Sequence, residues 1–147
     1  MKTIFKKETV PVGVKMLKSI PNPPVYLDSS AKKHYKKMAE ILIKANRLSE
    51  LFLPALEVFA DAMSQFEWAI REINRKNKIR TGSGYIQNYA TGATNISSEL
   101  VVKREAESTL FKCFKQFGLE PRSEKELKET HDPNQMDLFD QFLKQTS

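Results

Sequence analysis

The sequence predicts an all-α fold, and two patterns support this prediction. Three long segments carry apolar residues at alternating three- and four-residue steps, the spacing that places them on one face of an α-helix. No segment alternates apolar and polar residues over more than a few positions, as a half-buried strand does. We therefore divide the 147 residues into a flexible basic arm (1–27), a helical domain (28–129) and an acidic interaction tail (130–147).

The N-terminal arm is distinguished by its proline and lysine content. Residues 1–27 contain four of the seven prolines and five lysines, and no helical period runs through them. Closely spaced prolines favour extended chain and remove backbone donors. We predict a flexible arm that ends in an extended Pro-rich stretch at residues 20–24.

The first main helix is predicted over about residues 29–46. We assign Asp28 as its N-cap, because an aspartate before the first turn can accept a hydrogen bond from a free backbone N–H. Tyr35, Met38 and Leu42 recur at three- and four-residue steps and mark the apolar side. The other sides make the helix strongly basic, with Lys32, Lys33, Lys36, Lys37 and Lys44.

The second helix is predicted over about residues 53–77, with Pro54 in its first turn, where a missing donor costs little. It carries a heptad-like apolar stripe, and a column of alanines beside the stripe would let another helix approach closely. Such a stripe can form intramolecular core or pack a partner subunit, and both alternatives stay open at this point. The stripe comprises Leu56, Phe59, Met63, Phe66, Ile70 and Ile73, and the alanines are Ala55, Ala62 and Ala69.

A glycine-rich loop separates the second helix from the third. Residues 80–96 hold three of the five glycines, and a short hairpin could form around residues 81–84. The third helix is predicted over about residues 97–117, so that helices two and three form a long central hairpin. A capping box predicts a short fourth helix over residues 123–129.

Charge is distributed unevenly along the chain. Up to Arg122 there are 21 basic and 12 acidic residues, a net charge of +9, whereas the remainder has three basic and six acidic residues, a net charge of −3. A basic body favours a polyanion partner, because lysine and arginine gain affinity for DNA by displacing condensed counterions. The alternative is that the excess charge only maintains solubility. The candidate DNA-binding residues are Lys32, Lys33, Lys36, Lys37, Arg75, Lys76 and Arg80.

No residue pattern supports catalysis. His34 and His131 lack a second ligand at metal-binding spacing, and Cys113 lies on the apolar face of its helix. The glycine-rich loop lacks the Gly-Lys-Ser/Thr ending of a phosphate-binding loop. We therefore expect a protein that is not an enzyme and has no catalytic residue, cofactor or metal. The acids Glu57, Asp61 and Glu67 are expected on a solvated face.

The compartment is predicted from absences in the sequence. No apolar run reaches the roughly 20 residues that a membrane span needs. The basic N-terminus also lacks the sustained apolar stretch that a secretory signal requires. A single cysteine fits a reducing cytoplasm. We expect no membrane contact.

Three short motifs follow one another along the chain. Residues 27–35 read LDSSAKKHY, residues 48–51 read LSEL before the long helix, and residues 117–123 read FGLEPRS. In this order they resemble the small terminase subunits of tailed phages that cut cohesive ends. The first is similar to the family's opening L-S-x-x-A-K-x-x-W/Y, and the last to its ending F-G-L-T-P-x-S-R, the most specific of the three. One departure is Phe52, where many members carry an aspartate that caps the second helix.

The resemblance implies a ring-forming, non-catalytic subunit in the host bacterial cytoplasm. Members of the family recognise double-stranded phage DNA near the packaging start. They also recruit or regulate the large terminase, which holds the ATPase and the nuclease. The family supplies no catalytic residues, so the DNA-binding candidates above rest on charge alone.

The tail carries two alternatives. Residues 135–139 read QMDLF and resemble the pentapeptide by which bacterial proteins dock on the DNA-polymerase sliding clamp. Residues 137–143 also match the pattern D-x-F-x-x-F-L, which resembles the acidic tails of the family. This resemblance implies contact with the large terminase, and we rank this partner first. A further alternative, a small dimeric transcription regulator, fits less well because the predicted helices are longer than a helix-turn-helix needs. The candidate partner-binding residues are Gln135, Met136, Leu138, Phe139 and Phe142.

Overall fold

The structure, a computed structural model, describes residues 13–119 and Gln145. It confirms the three predicted main helices, whose ends differ from the predicted ends by two residues or fewer. The predicted fourth helix and the candidate residues of the tail lie outside the described residues. In chain order the elements are α1 (Ser29–Lys44), a 3₁₀ turn (Glu50–Phe52), α2 (Leu53–Ile79), β1 (Ile86–Asn88), β2 (Thr94–Ile96) and α3 (Ser98–Gln116).

Helix α1 is capped at both ends. The Asp28 carboxylate accepts a hydrogen bond from the Ala31 N–H at 2.7 Å, which confirms the predicted N-cap. At the other end Asn46 adopts the left-handed conformation, with φ of 54°, and turns the chain away from the helix axis. The Arg47 N–H then donates to the Leu42 carbonyl at 2.8 Å, so a terminal carbonyl of α1 is satisfied.

Helix α2 begins without a side-chain cap. Phe52 occupies the N-cap position and makes no side-chain hydrogen bond to the helix. Instead, the preceding 3₁₀ turn leads the chain into α2, and within it the Phe52 N–H donates to the Ser49 carbonyl at 3.0 Å. Pro54 lies in the first turn, where it removes a donor that has no partner within the helix.

The core lies where α1 and α3 both pack on the first half of α2. The ring of Phe59 on α2 lies 6.0 Å from that of Phe114 and 5.9 Å from that of Phe117. Since the end of α3 meets the start of α2, these two helices form the expected antiparallel hairpin. The apolar stripe of α2 faces this core. Its members Leu56, Phe59 and Ile73 are buried, and Met63, Phe66 and Ile70 are half-buried.

The prediction of an all-α fold was wrong at the tip of the hairpin that α2 and α3 form. Strands β1 and β2 pair antiparallel there, with Ile86 opposite Ile96, and we call residues 85–96 the β-hairpin. The short hairpin expected at residues 81–84 is a series of turns, in which Tyr85 donates to the Gly82 carbonyl at 3.0 Å. Each strand is three residues long and exposed on both faces, so no alternation of apolar and polar residues reveals it.

The β-hairpin is fixed to the ends of both long helices through Gly84. The Gly84 N–H donates to Asn77 Oδ1 at 2.8 Å, and its carbonyl accepts from the buried Ser97 hydroxyl at 2.7 Å. A Cβ atom at this position would lie 2.4 Å from the Ile73 carbonyl oxygen. Only glycine therefore lets the backbone pass this close to α2.

Part of the predicted N-terminal arm contacts the helical body. Met16 forms an isolated antiparallel bridge with Ser49, and the Leu17 N–H donates to the Leu48 carbonyl at 2.8 Å. The side chain of Leu27 is buried in the core. These residues of the predicted arm pack on the body because the turn after α1 leaves backbone groups that pair with them, and the flexibility of the arm stays a prediction. The division of the chain at residue 27 stays a prediction.

None of the helices in the described part of the chain is long and apolar enough to cross a membrane.

Candidate nucleic-acid interface

Four of the predicted DNA-binding residues share one side of α1. Any two of them that lie close on the helix surface are one, three or four positions apart in sequence. This spacing places them together on the side opposite the buried Tyr35, Met38 and Leu42. Three of them are exposed and the first is half-buried. We call this set the lysine face, and it consists of Lys32, Lys33, Lys36 and Lys37.

No acid among the described residues is paired with the lysine face, although Glu67 lines the same groove as Lys33 and Lys37. Within residues 13–119 none of its four side chains forms a hydrogen bond or an ion pair, whereas Lys44 on the same helix pairs with Glu40 at 3.2 Å. The first turn of α1 also carries no acidic residue. Like charges four residues apart destabilise a helix, and cations near its N-terminus oppose the helix dipole. This concentration of lysine therefore does not serve the stability of α1.

The basic cluster at the end of α2 is different, because acids neutralise most of it. Arg75 donates to both carboxylate oxygens of Glu72, at 2.9 and 3.1 Å, and this contact holds the pKa of Glu72 below its ordinary value. Lys76 Nζ lies 2.6 Å from Oε1 of Glu99. Of the three α2 candidates, Arg80 alone has no ion pair among the described residues.

The contact between Lys76 and Glu99 joins α2 to α3. Only 9% of the Glu99 side chain is exposed, and the hydrogen bond from Lys76 is the main reason that the pKa of Glu99 lies below its ordinary value. A partly buried carboxylate that loses its cation is costly, so this lysine has a structural role in the hairpin. The sequence could not reveal it, because the partner lies 23 residues further along the chain.

Helix α1 is positioned by a second role of its N-cap. Besides capping α1, Asp28 accepts hydrogen bonds from the hydroxyl of Ser64 on α2, at 2.9 and 2.7 Å. The Ala31 N–H and then the Ser64 hydroxyl keep the pKa of Asp28 below its ordinary value. One carboxylate thus starts α1 and ties its first turn to the middle of α2.

Glu67 makes a further link between the two helices. Its carboxylate accepts from the Ser30 hydroxyl at 2.9 Å and lies 2.5 Å from Nε2 of His34. Burial acts to raise the pKa of Glu67, but the hydrogen bonds from Ser30 and His34 outweigh burial, and the pKa lies below its ordinary value. The prediction that Glu67 belongs to a solvated face was therefore wrong, because α1 covers this side of α2. Similarly, Glu57 accepts from the Tyr26 hydroxyl at 2.8 Å.

An open groove between α1 and α2 runs along the lysine face. It has a volume of about 380 Å³, and Lys33 and Lys37 border it on the α1 side while Arg71 borders it on the α2 side. Arg71 was not among the candidates. It lies 3.8 Å from Glu67, one turn earlier on the same helix, and Glu67 also lines the groove. Among the described residues there is no group of three or more His, Cys, Asp or Glu side chains that could hold a metal.

The family described as "Phage terminase, small subunit" matches residues 31–134. The chain belongs to this family. Membership supports a role in phage genome packaging, and the match includes the whole lysine face and the α2–α3 hairpin. No curated protein and no solved structure matches the chain.

This terminase small subunit also exposes apolar side chains around the β-hairpin. Ile79 at the end of α2 is 75% exposed, and Tyr85, Ile86 and Tyr89 are each about half exposed. They lie at the end of the α2–α3 hairpin, distant from the core described above. We call this set the β-hairpin surface. Such concentrations of exposed apolar side chains are typical of contacts with another macromolecule.

Proposed function

We propose that the protein is the non-catalytic, DNA-binding small subunit of a phage packaging motor, and that it acts in the host bacterial cytoplasm. The observation that carries this proposal is the lysine face, four cationic side chains on one side of α1 with no acidic partner among the described residues. In the absence of a ligand the lysine face costs helix stability. A phosphate backbone would offset this cost by supplying the missing anions.

The spacing of the lysine face suits a double-stranded DNA backbone. Side chains four residues apart on a helix are separated by about 6 Å along its axis, whereas duplex DNA offers one negative charge about every 1.7 Å of its own axis. Each lysine therefore finds a phosphate within reach without a precise register. Arg80, which has no ion pair among the described residues, extends the same surface, and so does Arg71, whose contact with Glu67 is long at 3.8 Å. Arg75 and Lys76, paired with acids at 2.9 and 2.6 Å, contribute less.

Salt dependence tests this electrostatic mechanism in the unmodified protein. We expect the affinity for a linear duplex to fall along a straight line of log affinity against log salt concentration, with a slope of about −0.9 for each phosphate contact. For one subunit that uses the lysine face, the slope is about −3 to −4 or steeper. The measurement is fluorescence anisotropy of labelled duplex at increasing NaCl, with an uncharged peptide nucleic acid duplex as the control. An affinity that does not change with salt would exclude this mechanism.

We propose that several copies of the chain assemble into a ring through the β-hairpin surface. A ring multiplies weak phosphate contacts, because the second and later subunits bind DNA that is already held close. Exposed isoleucine and tyrosine side chains suit a protein–protein contact, since aromatic and apolar residues are enriched in the buried centre of such interfaces.

Charged substitutions on the β-hairpin surface are expected to break this assembly. A protein with Ile79→Glu and Ile86→Glu should have a smaller mass in solution, because burying either new carboxylate in an interface is unfavourable. The measurement is light scattering over a range of protein concentrations, and the dissociation constant should rise at least about tenfold. The control is Val25→Glu with Val58→Glu, which adds the same charge at exposed positions outside this surface. Equal effects of the two double variants would remove the β-hairpin surface from the interface.

We propose that the tail recruits the large terminase through Gln135, Met136, Leu138, Phe139 and Phe142. The supporting observation is the combination of aspartates with large apolar residues, which suits a shallow apolar cleft on a partner with cations around it. The alternative partner is the host sliding clamp, since QMDLF retains the glutamine and the Leu-Phe pair of the clamp-binding peptide that it resembles. Binding of the full chain to each purified partner distinguishes the two, because Gln135→Ala should weaken clamp binding more than large-terminase binding.

A further inference from the structure

A second groove, almost entirely apolar, lies directly beside the lysine face. It has a volume of about 110 Å³, about the size of one large side chain, and we call it the methionine groove. Two polar residues of α1 complete its lining. Lys37 belongs to the lysine face, and His34 lies next to that face. The apolar residues that line it are Met38, Ile41, Phe59, Met63 and Phe114.

Leu119, which follows α3, lies beside this groove, since its N–H donates to the carbonyl of the groove residue Phe114 at 2.8 Å. The ring of Phe117 lies 5.9 Å from that of Phe59, which lines the groove, and Leu119 is buried in the same core. The C-terminal segment therefore starts next to the methionine groove. Phe139 lies 20 positions after Leu119, and a chain of this length spans at most about 70 Å, far more than the distance required.

The composition of the tail complements the groove and the lysine face together. Residues 137–143 read DLFDQFL, so two aspartates alternate with four large apolar residues over seven positions. From residue 123 onward the segment has a net charge of −3. The groove offers the opposite combination, an apolar floor that can hold an aromatic ring beside cations that lack an acidic partner among the described residues.

We propose that the tail segment 137–143 docks in the methionine groove and places its aspartates on the lysine face. One phenylalanine side chain fills the groove, where the flexible side chains of Met38 and Met63 can adapt to it. Asp137 or Asp140 then pairs with Lys37 and Lys33. The docked tail occupies the cations that we assign to DNA, so this inference rests on the proposed DNA binding and adds its regulation.

Competition between the tail and DNA for the lysine face couples the binding of DNA to the binding of the large terminase. A large terminase that binds the tail would withdraw it from the lysine face and so raise the affinity for DNA. By thermodynamic linkage, DNA on the lysine face would raise the affinity of the tail for its partner by the same factor. The subunit would therefore hold DNA most firmly when the large terminase is present.

The methyl groups of the methionines report docking directly in the full chain. Met38 and Met63 line the groove, whereas Met16 lies at the bridge to Ser49 and is a control on the same molecule. We expect Phe139→Ala with Phe142→Ala to shift the methyl NMR signals of Met38 and Met63 and to leave that of Met16 in place, because a docked aromatic ring perturbs only nearby groups. Unchanged signals of Met38 and Met63 would overturn the proposal.

The affinity for DNA reports the competition. A tail that occupies the lysine face nine-tenths of the time would weaken DNA binding about tenfold. We therefore expect the full chain with Asp137→Asn, Phe139→Ala, Asp140→Asn and Phe142→Ala to bind duplex DNA about tenfold more tightly than the unmodified chain. The control is Glu124→Gln with Glu126→Gln, which removes the same charge from the C-terminal segment outside residues 137–143 and should have little effect.

The two proposals fail in different ways. If neither the unmodified chain nor the tail variant binds DNA, the proposed function is wrong. If both bind with the same affinity, DNA binding stands and the docked tail is wrong. If the control variant gains as much affinity as the tail variant, general repulsion between acids and DNA is the cause, and docking in the methionine groove is again wrong.

Discussion

Replacing the whole lysine face by glutamine is expected to weaken binding to duplex DNA by at least about 100-fold at about 0.1 M salt. Each lysine that contacts a phosphate releases counterions, so four lost contacts also reduce the slope of log affinity against log salt by about 3 to 4. Glutamine keeps most of the side-chain length and a high helix propensity, so α1 itself should persist. The measurement is fluorescence anisotropy on the full chain with each of Lys32, Lys33, Lys36 and Lys37 changed to Gln.

A matched variant separates this surface from net charge. The control removes four positive charges from exposed residues elsewhere, none of which has an ion pair in the described part of the chain, and its affinity should fall far less. The unfolding midpoint of the lysine-face variant should be unchanged or higher, because like-charge repulsion along α1 is removed. If both variants lose affinity equally, the lysine face has no special part in binding. The control substitutions are Lys78→Gln, Arg104→Gln, Lys112→Gln and Lys115→Gln.

The helices and the lysine face could be predicted because their determinants are local in sequence. The apolar steps of α2, the Asp28 cap and the lysine spacing on α1 each lie within a few residues, where helical geometry alone decides which side chains share a face. The same logic placed Arg75 and Lys76 in a basic cluster. It could not show that Glu99, far along the chain, neutralises one of them.

The rest of the site depends on pairs of residues that are distant in sequence. Ser64 meets Asp28 across 36 positions and Glu67 meets His34 across 33, and neither pair leaves a periodic signal. Gly84 is similar, since a glycine in a loop usually marks a turn, whereas here it marks contact of backbone against α2. Such contacts follow from how helices pack, which local patterns do not determine.

Family membership and the structure answer different questions about this chain. The match to phage terminase small subunits assigns a packaging role but identifies no individual residue as the DNA contact. The pairing of charges does distinguish residues, because a lysine with an acidic partner must lose that partner before it can bind a phosphate. On this criterion α1 is the stronger candidate surface, and the end of α2 is the weaker one.

Asp28→Ala is expected to lower the free energy of unfolding by about 2 kcal/mol, the largest effect of any single substitution proposed for this chain. The substitution removes the cap on the Ala31 N–H and leaves the buried Ser64 hydroxyl without its acceptor. The measurement is urea denaturation at pH 7. Asp61→Ala is the control, since Asp61 is exposed and, among the described residues, its carboxylate accepts only from the nearby Gln65 side chain.

The pH dependence of this difference identifies the carboxylate as its cause. Hydrogen bonds from the Ala31 N–H and the Ser64 hydroxyl lower the pKa of Asp28 in the folded protein, so its contribution is complete above the pKa of the unfolded chain. The contribution is lost as pH falls through the lower folded pKa, because the protonated group no longer accepts these bonds fully. The unmodified protein and Asp28→Ala should therefore converge in stability in acid. A constant difference down to pH values of about 2 would mean that the loss comes from packing at the start of α1 and not from the charge of its cap.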